Sequence, residues 1–150
     1  MKVEDRVYVE APAGVVWRVT VDVERWPDWT PTVRSVARVD EGELGVGSVA
    51  RIEQPGQPES EWVVRELEAG KRFVWETRRR GLRMVATHEL SPRGRGTANL
   101  LRLDASGPVA VLLWPVLGVL MRRALTRENA GLKRHCERIA GHPRDEGAAS

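Results

Sequence analysis

His88 and Glu128 are ionisable residues at positions that the hydrophobic pattern reserves for apolar ones. In LRMVATHEL, residues 82–90, the alternate residues Leu82, Met84, Ala86, His88 and Leu90 share one face of a strand. Arg83, Val85, Thr87 and Glu89 share the other, so His88 is expected to point inward among apolar neighbours. Between 109 and 140, Trp114, Leu117, Met121, Leu125, Leu132, Cys136 and Ile139 recur at intervals of three and four, which places them on one helical face. Glu128 falls on that face, about 20° from Met121 at about 100° per residue. A carboxylate there needs a partner or a raised pKa. An imidazole and a burial-tuned carboxyl facing one cavity can remove a proton from carbon and deliver one to oxygen, the steps that aldol cyclisation and dehydration require. Two blander readings compete. Glu128 could pair with Arg102 or Arg127 while His88 donates to a backbone carbonyl, or both could orient the polar end of an apolar ligand without chemistry.

Other chemistries have little support. Cys136 is the single cysteine, which excludes an intramolecular disulfide and a multi-thiolate metal site. Near the end of a helix it reads as a small buried apolar residue. His135 and His142, seven apart, do not make a metal site, and no phosphate loop or serine–histidine–acid signature is present. No metal and no cofactor are expected.

The elements that must position these residues follow from punctuation and period. VEDRVYVE, residues 3–10, alternates as a half-buried strand with Val3, Val7 and Val9 inward. Pro12 suits a first helical turn, Val16, Val19 and Val23 follow at helical spacing, and Asp22 is expected to cap a second short helix. Trp26–Pro27 should end that turn, and Thr30–Pro31 should send the chain out extended. Turn-rich clusters at 40–47, 55–58, 69–71, 79–82 and 92–96 then separate strand-length segments 33–39, 48–54, 60–68, 72–78, 82–91 and 97–105. The class is α+β: seven strands of antiparallel meander, two short helices between strands 1 and 2, and one long C-terminal helix. Residues 1–140 are expected to form a single domain, with 141–150 a frayed tail.

The opening VxxxAPAGVVWRVTVDVERWPDWTPTV carries a resemblance. Its pieces are Ala11–Pro12, Val16–Trp17, Asp22, Trp26, Trp29 and Pro31. The Gly45–Gly47 turn, Gly70–Lys71–Arg72 before Phe73, and the SGP before the last helix complete it. With the element order, these make residues 3–139 resemble the START-like helix-grip (SRPBCC) superfamily, and within it the polyketide cyclase/dehydrase-like group. The resemblance implies a curved sheet gripping the C-terminal helix around an apolar pocket. It implies no shared catalytic motif, since that group spans cyclases, lipid and hormone binders and quinone-binding chaperones. Strand parity and the helical wheel then propose the lining. Trp26 and Trp29 would cap the mouth. Trp62, Phe73, Trp75, Thr77, Met84, Ala86, Asn99 and Leu101 come from the sheet, and Leu117, Met121, Leu125 and Leu132 from the helix.

Two surface features remain. RRRGLR, residues 78–83, reads as a solvated hairpin tip with Gly81 supplying an unusual backbone angle. VAVLLWPVLGVLM, residues 109–121, is apolar all round, so one side should meet the sheet and another a membrane surface or a second copy. It is shorter than the roughly 20 residues of a membrane span. Nothing resembles a secretory signal, and a soluble cytoplasmic protein is expected. The formal charge of +3, without basic residues interleaved with exposed aromatics, does not point to nucleic acid. The partner expected is a small hydrophobic molecule, polyketide-like, aromatic or lipid. Its handler would be a cofactor-independent cyclase/dehydratase, a non-catalytic lipid or quinone carrier, or an interaction module with a collapsed pocket.

Overall fold

The computed structural model describes residues 1–141. The expected frayed tail and His142 lie outside them, and Gly141 ends the last helix. The elements are β1 (Lys2–Val9), α1 (Ala13–Val21), a 3-10 helix (Val23–Asp28), β2 (Ser35–Arg38), β3 (Val49–Glu53), β4 (Ser60–Glu68), β5 (Arg72–Arg79), β6 (Leu82–Arg93), β7 (Gly96–Ser106) and α2 (Pro108–Gly141). The strands form one antiparallel sheet in the order β1-β7-β6-β5-β4-β3-β2. The N-terminal strand thus pairs with the last one, and α2 packs against both. This is the helix-grip arrangement: one face of the sheet closes over one side of one helix.

Period-2 patterning sorts β1 and most of β6 as expected, but not β5, where Phe73 to Thr77 are all buried, nor Thr87 on β6, buried although the pattern put it on the outer face. On β1, Val3 and Val9 are buried; on β6, Met84, His88 and Leu90 are. α2 buries Met121, Leu125, Leu132 and Cys136 at helical spacing, whereas Ile139, placed on the same stripe by the pattern, is 38% exposed and borders an outer depression beside α1. Hairpin glycines supply the left-handed angles that the tips need, Gly81 at φ +71° among them.

The helical connection between β1 and β2 differs from expectation. The Asp22 carboxylate caps nothing; it faces Arg25 at 3.5 Å. Pro27 does not end the turn either, for the second helix is a 3-10 helix that continues to Asp28. The backbone supplies the termination instead, since the amides of Trp29 and Thr30 both donate to the Trp26 carbonyl at 3.1 and 3.0 Å. The segment is seated on α2 at Gly131, where a Cβ would collide with the carbonyl oxygen of Trp29.

Candidate functional site

Between the concave sheet and α2 lies a cavity of about 390 Å³. The inner faces of β6 and β7 supply Met84, Ala86, His88, Leu101 and Leu103; Trp75, Trp62 and Ile52 continue the wall across β5, β4 and β3. α2 contributes Leu117, Leu120, Met121, Ala124, Leu125 and Glu128, and the 3-10 helix contributes Trp26. Beyond Glu128 and Leu101 the space is closed by a polar clasp. Asn99 Nδ2 donates to Asn129 Oδ1 at 2.7 Å, and Asn129 Nδ2 donates in turn to the Asp5 carboxylate at 2.7 Å and the Asp5 carbonyl at 3.0 Å. The opposite end is bounded by the β3–β4 turn, Gln54 to Pro58, and by Arg79. The Arg79 guanidinium donates to the Pro58 carbonyl at 2.7 Å, tying the two hairpin ends together beside the opening.

His88 and Glu128 both line this cavity. His88 is 5% exposed, its ring flanked by Trp26 and Phe73 at centroid distances of 5.4 and 5.3 Å. Neither ring nitrogen meets a hydrogen-bond partner among the described residues, so it does not donate to a backbone carbonyl. Burial without compensation pushes its pKa down to about 3 and leaves the imidazole neutral at physiological pH. Glu128 is half-buried as a residue, and its Oε1 is fully buried and unpartnered. Burial raises its pKa to about 7. Neither expected arginine bonds to it: Arg102, which also borders the cavity, donates through Nε and Nη2 to Glu4 Oε1, both at 3.2 Å, and Arg127 is exposed. The pairing reading of Glu128 is therefore not what forms. Cys136 is buried, its thiol pushed up to about 12, a packing residue with no nucleophilic character.

Of the residues expected to line the site, Trp26, Trp62, Trp75, Met84, Ala86, Leu101, Leu117, Met121 and Leu125 do so, together with His88 and Glu128. Five do not. Trp29 sits against Gly131 and borders a shallow outer depression with His135. Phe73 and Thr77 are buried but absent from the lining, Phe73 standing behind His88 and Trp75. Asn99 is spent in the clasp, and Leu132 lies one turn of helix beyond it. Patterning missed several others, among them Thr32, Val33, Ile52, the β3–β4 turn, Arg79, Thr87, Arg102, Leu120 and Ala124. The turn carries no apolar period to mark it, while Leu120 and Ala124 precede Met121 and Leu125 in LMRRAL and were hidden by the all-round apolarity of the run.

A family model described as polyketide cyclase / dehydrase and lipid transport matches residues 1–137. The chain belongs to that family. Solved structures place this polyketide cyclase/dehydrase family member among helix-grip proteins. A hypothetical protein from Helicobacter pylori superposes with a TM-score of 0.80 at 16% identity, covering 91% of this chain and 88% of that one. The Zhui aromatase/cyclase from a Streptomyces species gives 0.75 at 20% identity, covering 92% and 94%. The di-domain aromatase/cyclase StfQ of steffimycin biosynthesis gives 0.76 at 16% identity, covering 93% of this chain and 51% of that one. At such identities these likenesses speak for the fold alone. No curated protein matches the sequence.

Proposed function

We propose that this polyketide cyclase/dehydrase family member takes a small, mostly apolar, carbonyl-bearing compound into the cavity and moves its protons in a cofactor-free cyclisation and dehydration. The observation that carries the reading is the unpartnered Glu128 carboxyl sharing an apolar cavity with an unbonded His88. Burial assigns the roles differently from the near-neutral histidine expected of such a pair. With a pKa near 3, His88 is a poor base but a neutral N–H donor; with a pKa near 7, Glu128 is the group matched to proton transfer at physiological pH.

In this reading the Glu128 carboxylate takes a proton from a carbon next to a carbonyl, and the enolate oxygen accepts a hydrogen bond from His88. The enolate carbon attacks a second carbonyl of the same ligand, and the alkoxide formed takes the proton back from Glu128. A second deprotonation at the same carbon expels the hydroxyl group, which leaves as water with that proton. The walls, Trp26, Trp62 and Trp75 among them, would hold the ligand folded and exclude bulk water. The test is turnover of a soluble poly-β-ketone: Glu128→Gln should lower kcat by about a hundredfold or more, the usual share of a general acid–base group. Turnover retained in both Glu128→Gln and His88→Gln would sink the catalytic reading.

A second reading, a carrier that binds such a molecule without changing it, is favoured by the apolar surface on α2 beside the cavity mouth, where Leu120 is 55% exposed and also lines the cavity. Native mass spectrometry of protein purified without detergent separates the two. A discrete co-purified mass that survives purification supports the carrier, and a clean apo mass with turnover supports the enzyme.

A further inference from the structure

The first half of α2 carries an apolar face that the fold leaves open. Leu112 is 79% exposed, Val116 64% and Val119 51%. At about 100° per residue these fall within a stripe about 60° wide, and Arg123 and Arg127 continue the same stripe on the next two turns. Arg122, Arg123 and Arg127 are exposed and have no ion pair among the described residues, and with Trp114, Pro115 and Gly118 they edge an open groove of about 660 Å³ along the helix. The other end of the stripe is basic as well. The amide of Val109 donates to the Gly81 carbonyl at 2.9 Å, which brings the β5–β6 tip, with Arg78 and Arg80 exposed on it, to the start of the helix. Counter-charge is sparse: Arg78 lies 3.9 Å from Glu76, which also binds Arg65 and Arg83, while no acidic residue occurs between Glu76 and Glu89 or between Asp104 and Glu128.

We infer that this face is a docking surface for an anionic lipid bilayer, with α2 lying along the interface, Leu112, Val116 and Val119 among the acyl chains and the arginines at both ends in the headgroup layer. Charge decides between this occupant and a second copy of the chain. Arginines at both ends of the stripe would meet arginines in a parallel or an antiparallel pair, whereas anionic headgroups neutralise both ends at once. Anchorage decides between lying and crossing. By length and composition α2 has a stretch that could span a bilayer, but Ala110, Met121, Leu125 and Leu132 are buried in the domain and hold the helix to the sheet. Docking in this pose sets Leu120, and with it the cavity mouth, against the bilayer, where an apolar molecule could pass between lipid and cavity. The surface stands without the proposed chemistry, and its test does not depend on it.

The full chain is sedimented with phosphatidylcholine vesicles with and without phosphatidylglycerol. It should partition onto the anionic vesicles, weakly or not at all onto neutral ones, and come off as salt is raised. Arg123→Gln with Arg127→Gln should weaken partitioning by about fivefold for each arginine removed. Leu112→Ser with Val116→Ser should weaken it by about tenfold or more. Both pairs are exposed, so melting temperatures should stay at the wild-type value, which shows that the variants are folded. Absence of binding to anionic vesicles, or binding indifferent to both pairs, would overturn the proposal. So would a solution dimer that the Leu112/Val116 pair converts to monomer.

Discussion

The imidazole of His88 lies 5.4 Å from the indole of Trp26, centroid to centroid, with the planes at 55°. The indole cannot compensate by accepting a strong hydrogen bond, and its own Nε1 donates to the Thr20 carbonyl at 3.1 Å. Phe73 holds the other side of the ring at 5.3 Å. A proton on His88 would be desolvated and unshared. Nitrogen NMR should accordingly show one neutral tautomer from neutrality down to about pH 4, since the pKa is about 3. A midpoint near 6.5 would mean that water reaches the ring and that the aromatic enclosure is open.

The two cavity groups act on stability in opposite directions along the pH axis. His88 ionises near 6.5 when unfolded and near 3 when folded, so as pH falls through that interval the unfolded chain binds a proton that the native state refuses, and stability drops. Glu128 runs from 4.5 unfolded to about 7 folded, so as pH rises through that interval the unfolded chain releases a proton that the native state keeps, and stability again drops. Glu128→Gln removes the second effect alone. The variant should gain about 3 kcal/mol on the wild type between about pH 4.5 and pH 8. Denaturant melts at the two pH values measure this, and equal curves would place the native carboxyl in water or against a cation.

Ala124 lines the cavity from the helix side and leaves part of its space empty. Ala124→Phe should fill that space and lower the affinity for an apolar fluorescent dye by about tenfold or more, with stability little changed if the ring fits the void. Trp29→Phe, outside the lining, should leave dye uptake as it was. Equal effects of the two substitutions would show that the dye binds elsewhere.

Gly131 is required by contact, for it is helical and meets the backbone of Trp29. Gly131→Ala improves helix propensity by about 1 kcal/mol yet forces the 3-10 segment off α2. The net effect should be a loss of about 1–3 kcal/mol, seen in thermal melts. A stabilised variant would contradict the close approach.

Strand parity made most of this fold readable. Met84, Ala86 and His88 alternate toward the helix as Arg83 and Val85 do not, and glycine-marked tips set the strand lengths to within a few residues. Glu128 was legible for the same kind of reason, as a charge breaking the Met121–Leu125–Leu132 period. Parity gives the face of a residue but not its distance along the groove. Asn99 and Leu132 share the correct faces, but Asn99 is taken up in the clasp and Leu132 lies past it; Phe73 and Thr77 are buried in the wall without reaching the space. Trp29 looked like the twin of Trp26, and only the seat at Gly131 separates them. The wheel could not rank the sides of an all-apolar segment, so the open face at Leu112 and Val116 emerged only with the sheet in place.

The proposed chemistry needs a carboxyl poised near neutrality in an apolar cavity. Difference infrared spectroscopy of the protonated carboxyl band, with Glu128→Gln subtracted, measures it directly. A band that titrates at about 7, and moves higher when an apolar ligand fills the cavity, is the predicted result. A midpoint near 4.5 would contradict it, because Glu128 would then be solvated or paired and could not hold the proton that the proposed chemistry moves.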